Sequence, residues 1–255
     1  MKAFKKPIAY FSVISIALIL VLCLAVSKTG AFAVYSGGTV RKTPIYSVER
    51  NDNKIAISFD CAYGADYTYK ILDALDEYGV KCTFFCVEFW VNKYPEVARE
   101  IVKRGHEIGT HSKTHPQMSK LNKAQIEEEL SSSVKAIEDL TGQKVELFRA
   151  PFGDYDNELL EVATAYNLFT IQWDVDSIDW KDISAKEITN RVLSKTKSGS
   201  IILCHNNALH THEALPYILS NLKEKGYEFV KISELIYKEN YKINSFGVQV
   251  KNEQS

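Results

Sequence analysis

From residue 53 onward the chain alternates between two hydrophobic rhythms. Short, densely apolar runs recur at KIAISFD (54–60), VKCTFFC (80–86), HEIGTH (106–111), VELFRAP (145–151), LFTIQWDVD (168–176), SIILCH (200–205) and YEFVKI (227–232). Their length and their Val, Ile and Phe content read as strands. Between them the apolar positions fall three and four apart. Ile71, Leu72, Leu75 and Tyr78 share one helical face ahead of Gly79. PEVAREIVKRG (95–105) opens on Pro and closes on Gly, the punctuation of a helix. Ile126, Leu130, Val134, Ile137 and Leu140 form one stripe closed by Gly142, and Ser184 with Glu187 makes a capping box before Ile188. Strands alternating with helices predict an α/β fold with a parallel sheet and right-handed crossovers. An open doubly wound sheet and a closed barrel both satisfy that pattern. No Gly-rich phosphate loop follows any strand, so the nucleotide site of the first arrangement lacks support. Residues 34–52 are polar, contain Gly37-Gly38, and read as a linker or short strands. Residues 239–255 read as a frayed polar tail.

The start of the chain breaks the pattern. MKAFKK carries three lysines and no acid, and residues 8–26 are uncharged and apolar. A basic flank before such a run is a signal peptide or an N-terminal membrane anchor, with the lysine side in the cytoplasm. The run is just long enough to cross a bilayer core of ~30 Å. Ala31-Phe32-Ala33 fits a small-x-small cleavage site, so residues 1–33 are read as signal or anchor and the remainder as extracytoplasmic. Cys23 lacks the small residue expected ahead of a lipidated cysteine. The whole chain of 255 residues has 31 Lys+Arg against 32 Asp+Glu. Without residues 1–33 it is mildly acidic, so a nucleic-acid partner is disfavoured. The five cysteines contain no CxxC pair, which argues against a zinc knuckle or a disulfide-stapled miniprotein.

Polar residues gather at the carboxyl ends of the predicted strands, where ligands bind in parallel α/β folds. HSKTH (111–115) places two imidazoles four residues apart, a spacing that can hold one divalent metal; a bare pair of this kind is otherwise two surface histidines. Asp60 ends an apolar strand, as a general base beside a metal or as a cap for the next segment. Arg149 has the fork to hold that carboxylate in one orientation and keep it ionised. A lone strand-end histidine such as His205 is more often a satisfied core residue. Asp179 nearby in the fold would raise its pKa and keep it protonated as an acid. Trp180 either walls the pocket or packs in the core. His210 and His212 are read as solvated, and His106, at the opposite end of its strand, as structural.

In order, SFDCAYG (58–64), HSKTH (111–115), RAPFG (149–153), DSIDW (176–180) and LCH (203–205) resemble the five motifs of the polysaccharide deacetylases, carbohydrate esterase family four, whose shared unit is the NodB homology domain. The resemblance runs from about residue 53 to 238. Through SFDCAYGADYT and TFFCVEFW it is most similar to the sporulation-type peptidoglycan deacetylases. It implies a distorted (β/α)7 barrel and metal-dependent N-deacetylation of an N-acetylated polysaccharide, peptidoglycan first. An O-acetyl esterase, or a glycan-binding module impaired in catalysis, is the alternative. By the same resemblance Asp60 matches the base, His111 and His115 the metal ligands, and Arg149 the residue that orients the base. Asp179 matches the residue that tunes the acid, and His205 the acid itself. The Phe152 N–H matches an oxyanion donor, and Trp180 and Leu203 border the pocket. The implied cofactor is a divalent ion, zinc ahead of cobalt or manganese. The implied partners are the cell-wall polysaccharide and, through residues 1–33, the membrane; the chain is read as a monomer.

One position departs from the motif. The usual first motif has two adjacent aspartates, the second a metal ligand, and here that second position is Cys61. Three readings stay open: a thiolate ligand, a neutral thiol beside a site completed by water, or a disulfide with Cys86 or Cys204.

Overall fold

The computed structural model describes residues 41–252. Residues 8–26, the signal-or-anchor segment, lie outside the described residues. Among those described, no helix is long and apolar enough to cross a membrane.

The central strand is β2, Lys54–Cys61, buried along almost its whole length. A strand covered on both faces must be apolar throughout, which KIAISFDC nearly is. Around it lie β3 (Thr83–Cys86), β4 (Glu107–Thr110), β5 (Leu147–Phe148), β6 (Phe169–Thr170), β7 (Val175–Asp176) and β8 (Ile201–His205). Their order in the sheet is β6-β5-β4-β3-β2-β8-β7, every pairing parallel, and β9 (Glu228–Phe229) pairs with the start of β2. This is the expected barrel in distorted form. The predicted strand LFTIQWDVD is in fact two: β6 and β7 sit at opposite edges of the sheet, and residues 171–174 cross between them.

The helices are α1 (Thr68–Glu77), α2 (Glu88–Lys93), α3 (Pro95–Lys103), α4 (Lys123–Thr141), α5 (Asn157–Ala165), α6 (Ala185–Lys195), α7 (Thr211–Glu224) and the short α8 (Ile232–Leu235). The predicted capping box of α6 is present, Ser184 and Glu187 satisfying each other's backbone N–H. The stripe of α4 ends where expected, at Gly142 in the left-handed conformation (φ 71°).

Two sequence expectations are sharpened here. Of residues 34–52, read as a linker or short strands, 41–52 are described and carry short-strand pairing rather than a plain linker. Ile45 pairs with Ile171 at the β6 edge, with Ile45 N–H donating to Thr170 O at 3.0 Å and Gln172 N–H to Ile45 O at 2.7 Å. Three residues on, Val48 N–H donates to Gly199 O at 2.9 Å, beside β8. The segment therefore wedges into the seam that β6 and β7 leave open. Gly199 is required there: it sits at φ +79°, and an added Cβ would lie 1.7 Å from Val48 O. Nor are residues 239–255 all a frayed tail. β10 (Tyr241–Ile243) and β11 (Val248–Lys251) form a hairpin, and β11 pairs in parallel with β1 (Ser47–Val48).

Side chains alternate across each strand. On β2, Ile55, Ile57 and Phe59 face the helices in the larger core, whereas Ala56 belongs to a second cluster. That second cluster holds Phe85, Leu147, Ile171 and Ile201 from the sheet, Ile45 and Val48 from the wedge, and Ile232 and Leu235 from α8. It fills the floor of the barrel. The polar strand ends lie at the other end.

Candidate active site

Asp60 and Ser58 follow Ala56 on the same face of β2, so the strand that is apolar at the floor becomes polar toward its carboxyl end. Arg149, fully buried, leaves β5 and reaches both: Nη1 donates to Asp60 Oδ1 at 2.7 Å and Nη2 to Ser58 Oγ at 2.9 Å and Gln172 O at 3.2 Å. Its guanidinium carbon lies 4.0 Å from the Phe85 ring centroid. Burial alone would raise the Asp60 pKa; Arg149, with His111 and His205, outweighs it and holds the carboxyl below its usual range.

The second oxygen of Asp60 lies 3.6 Å from His111 Nε2. His111 donates Nδ1–H to Arg149 O at 2.8 Å, which leaves Nε2 as the lone-pair nitrogen facing the site. His115 sits 4.9 Å away, ring centroid to ring centroid, with a buried Nδ1 that has no hydrogen-bond partner. Burial pushes both imidazoles down, His115 to about 4 with the help of His111, so both are neutral at ordinary pH. Neutral imidazoles with an uncommitted nitrogen are the form that binds a divalent metal, and the pair fits that role. Among the described residues no group of three or more His, Cys, Asp or Glu is arranged to hold a metal.

Cys61 does not gather with the pair. Its side chain is buried in the larger core, with Sγ 3.8 Å from Phe59 O, and it is in register with Cys86. Burial, then the neighbouring Cys86, pushes its thiol pKa well up, which keeps it neutral. Cys61, Cys82, Cys86 and Cys204 are all free thiols.

Across the site, His205 and Asp179 meet. Asp179 Oδ1 is 2.7 Å from His205 Nδ1, and its Oδ2 accepts from His205 N–H at 2.8 Å and from the Thr211 hydroxyl at 2.6 Å. Burial would lower the His205 pKa; the hydrogen bond and charge of Asp179 win and raise it. The strands set His205 beside Asp60, because the two are in register on β2 and β8. Leu203 lies on the same face of β8 as His205 and is buried.

Aromatic rings rim the site. Phe152, in a turn at φ 61°, is exposed and packs edge-on against His115 at 4.6 Å. Tyr63 approaches His115 from the other motif at 5.9 Å. Trp180 is exposed, so its core-packing alternative fails. His106 is buried beside Cys82 N, away from the site, as expected. His212 is not simply solvated: it stacks on Tyr67 at 4.5 Å. His210 pairs with Glu213. Sequence reasoning missed Ser58, Gln172 and Thr211. Ser58 had a signal, since it shares the period-two face of Asp60; the other two are brought in by the fold.

Comparison with known proteins agrees with this geometry. The polysaccharide deacetylase family profile matches residues 47–171. The uncharacterized protein YlxY of Bacillus subtilis is 35% identical over 78% of this chain and 62% of its own length. A peptidoglycan-N-acetylglucosamine deacetylase of Bacillus cereus is 34% identical over 74% of the chain and 70% of its own. The chain thus spans roughly two thirds of these relatives' lengths. Among solved structures, BA3943 of Bacillus anthracis, described as a CE4 family pseudoenzyme, superposes with TM-score 0.73 at 36% identity, over 75% of this chain and 68% of that one.

Proposed function

This chain belongs to the polysaccharide deacetylase family, and we propose that it hydrolyses the N-acetyl group of a sugar in peptidoglycan. The observation that carries the reading is the pairing of opposites across one site: a carboxylate bonded to Arg149, facing an imidazole whose protonated form Asp179 favours.

His111 and His115 would hold the divalent ion, which when bound supplies Lewis acidity toward the acetyl carbonyl and makes water a better nucleophile. Asp60, kept ionised and fixed by Arg149, takes a proton from the attacking water as its oxygen bonds to the carbonyl carbon. The Phe152 N–H donates to the oxygen that becomes negative. His205, with Nδ1 committed to Asp179, delivers its Nε2 proton to the sugar nitrogen, and the C–N bond breaks to give acetate and a free amine. Trp180, Phe152 and Leu203 border the sugar. Zinc is the ion this donor set favours, with cobalt and manganese as substitutes. The mildly acidic composition of residues 34–255 and the lysine-flanked apolar run in residues 1–33 support an exported, wall-facing protein, which we read as a monomer, and the family resemblance of SFDCAYGADYT supports a sporulation-type relative.

The second reading, a glycan-binding protein impaired in catalysis, draws on Cys61 and on the pseudoenzyme character stated for BA3943; the deacetylase relatives weigh against it. The test is acetate release by the purified protein from peptidoglycan, chitin oligomers and acetylated xylan. Release from peptidoglycan, abolished by a chelator and restored by zinc, cobalt or manganese, is expected. Release from acetylated xylan alone moves the chain to the esterases, and no release from any substrate by metal-bound protein overturns the reading.

A further inference from the structure

The metal-facing pair stands on a loop whose shape needs explaining. Between His111 and His115 lie only Ser112, Lys113 and Thr114, and the loop contains two non-glycine residues in the left-handed region, Ser112 at φ 73° and His115 at φ 59°. That conformation is unfavourable for L residues and persists only where surroundings enforce it. The two residues between Ser112 and His115 are held by Glu129, on α4 and 8% exposed. Its Oε2 accepts from Lys113 N–H and Thr114 N–H, both at 2.8 Å, and its Oε1 from the Thr114 hydroxyl at 2.5 Å. One turn further along α4, Ser133 Oγ meets Thr110 Oγ1 at 2.6 Å, and Thr110 Oγ1 accepts from Ser112 N–H at 3.2 Å. His115 N–H closes the loop on Ser112 Oγ at 2.9 Å. Apart from Ser133, the rest of the buried face of α4 is apolar, with Ile126, Leu130 and Ile137. A carboxylate is costly to bury, and this one spends both oxygens on Lys113 and Thr114, two of the three residues that separate the two imidazoles.

We infer that Glu129 is a positioning residue for the histidine pair, setting the spacing of His111 and His115 and with it the affinity for a divalent ion. The inference rests on the metal reading above. It differs from a plain fold role because it places the effect of Glu129 in metal affinity rather than in stability of the metal-free protein.

The experiment is competition for zinc between the full chain and a chromophoric chelator, with the melting temperature of the metal-stripped form measured alongside. Glu129→Ala should weaken zinc binding by roughly 10- to 100-fold, as loss of an orienting partner does at other sites. Glu129→Gln should recover most of it, because its one carbonyl oxygen can still accept both amides while its NH2 faces the Thr114 hydroxyl. Thr114→Val, which removes a single bond and carries the test if Glu129→Ala does not fold, should weaken binding by less than Glu129→Ala. Zinc binding lost in His111→Ala but intact in Glu129→Ala and Thr114→Val overturns the inference and spares the metal reading. Equal losses in Glu129→Ala and Glu129→Gln also overturn it. Zinc binding that survives His111→Ala overturns the metal reading itself.

Discussion

The floor and the mouth of the barrel are built from the same strands by opposite means. On one face of β2, Ala56 joins the floor cluster, while Ser58 and Asp60 serve Arg149 two and four residues later. The floor is apolar matter filling space, with Ile45, Phe85, Leu147, Ile171 and Leu235 in contact. The mouth is a chain of charges, each of which would be ruinous alone at that depth and is tolerable only as a set. The floor should therefore tolerate change in proportion to volume removed, whereas the mouth should fail by partner.

The largest effect separates these two regimes. Arg149→Ala should cost about 3–5 kcal/mol, since it strands Asp60 as a buried, unpaired carboxylate. Asp60→Asn should keep the fold yet lower turnover by about 10²–10⁴-fold. On the floor, Leu235→Ala should cost about 2–5 kcal/mol through its cavity and leave the turnover of folded molecules intact. Urea unfolding followed by acetate assays reads all three, and a floor variant that loses turnover while folded would erase the distinction.

A smaller effect tests the mouth internally. Asp179→Asn should move the basic limb of the kcat/KM profile to lower pH, because His205 would lose the charge that raises its pKa above the usual 6.5. The linkage has a definite sign. A raised folded-state pKa makes the Asp179–His205 contribution to stability fully present below 6.5 and lost as pH rises through the folded value. An unchanged profile in the variant would dissolve the pair.

The smallest effect concerns Cys61. With its thiol neutral and packed in the core, Cys61→Ala should change zinc affinity by less than about tenfold, the least that an orienting partner usually contributes. A larger loss would bring the thiolate ligand back.

Most of the mouth was legible in the sequence because strand ends are local: HSKTH, RAPFG and LCH each follow an apolar run that announces a strand. Much of the barrel wall was legible for the same reason. The seam was not. LFTIQWDVD reads as one strand because its apolar content is continuous, and only long-range pairing with Ile45 on one side and with β8 on the other divides it. The C-terminal hairpin was invisible to hydropathy because polar bonds anchor it. Gln249, fully buried, accepts from Tyr237 N–H at 2.8 Å and donates its amide to Tyr237 O at 2.6 Å. Glu129 was passed over in the stripe of α4 because nothing local distinguishes it from the acids beside it.

The pairing of Ser47 with Val248 joins the two ends of the folded unit. Contacts of such sequence separation are the slowest to find and the last to be rewarded during folding. A chain delivered from its N-terminus could seat the wedge segment on Thr170, Gln172 and Gly199 early, yet β1 would wait for its partner until the last strand had emerged. The barrel's closure is in that sense a checkpoint on completeness: a product stopped short of β11 would carry every residue of the mouth and still lack the strand that pins the wedge in place.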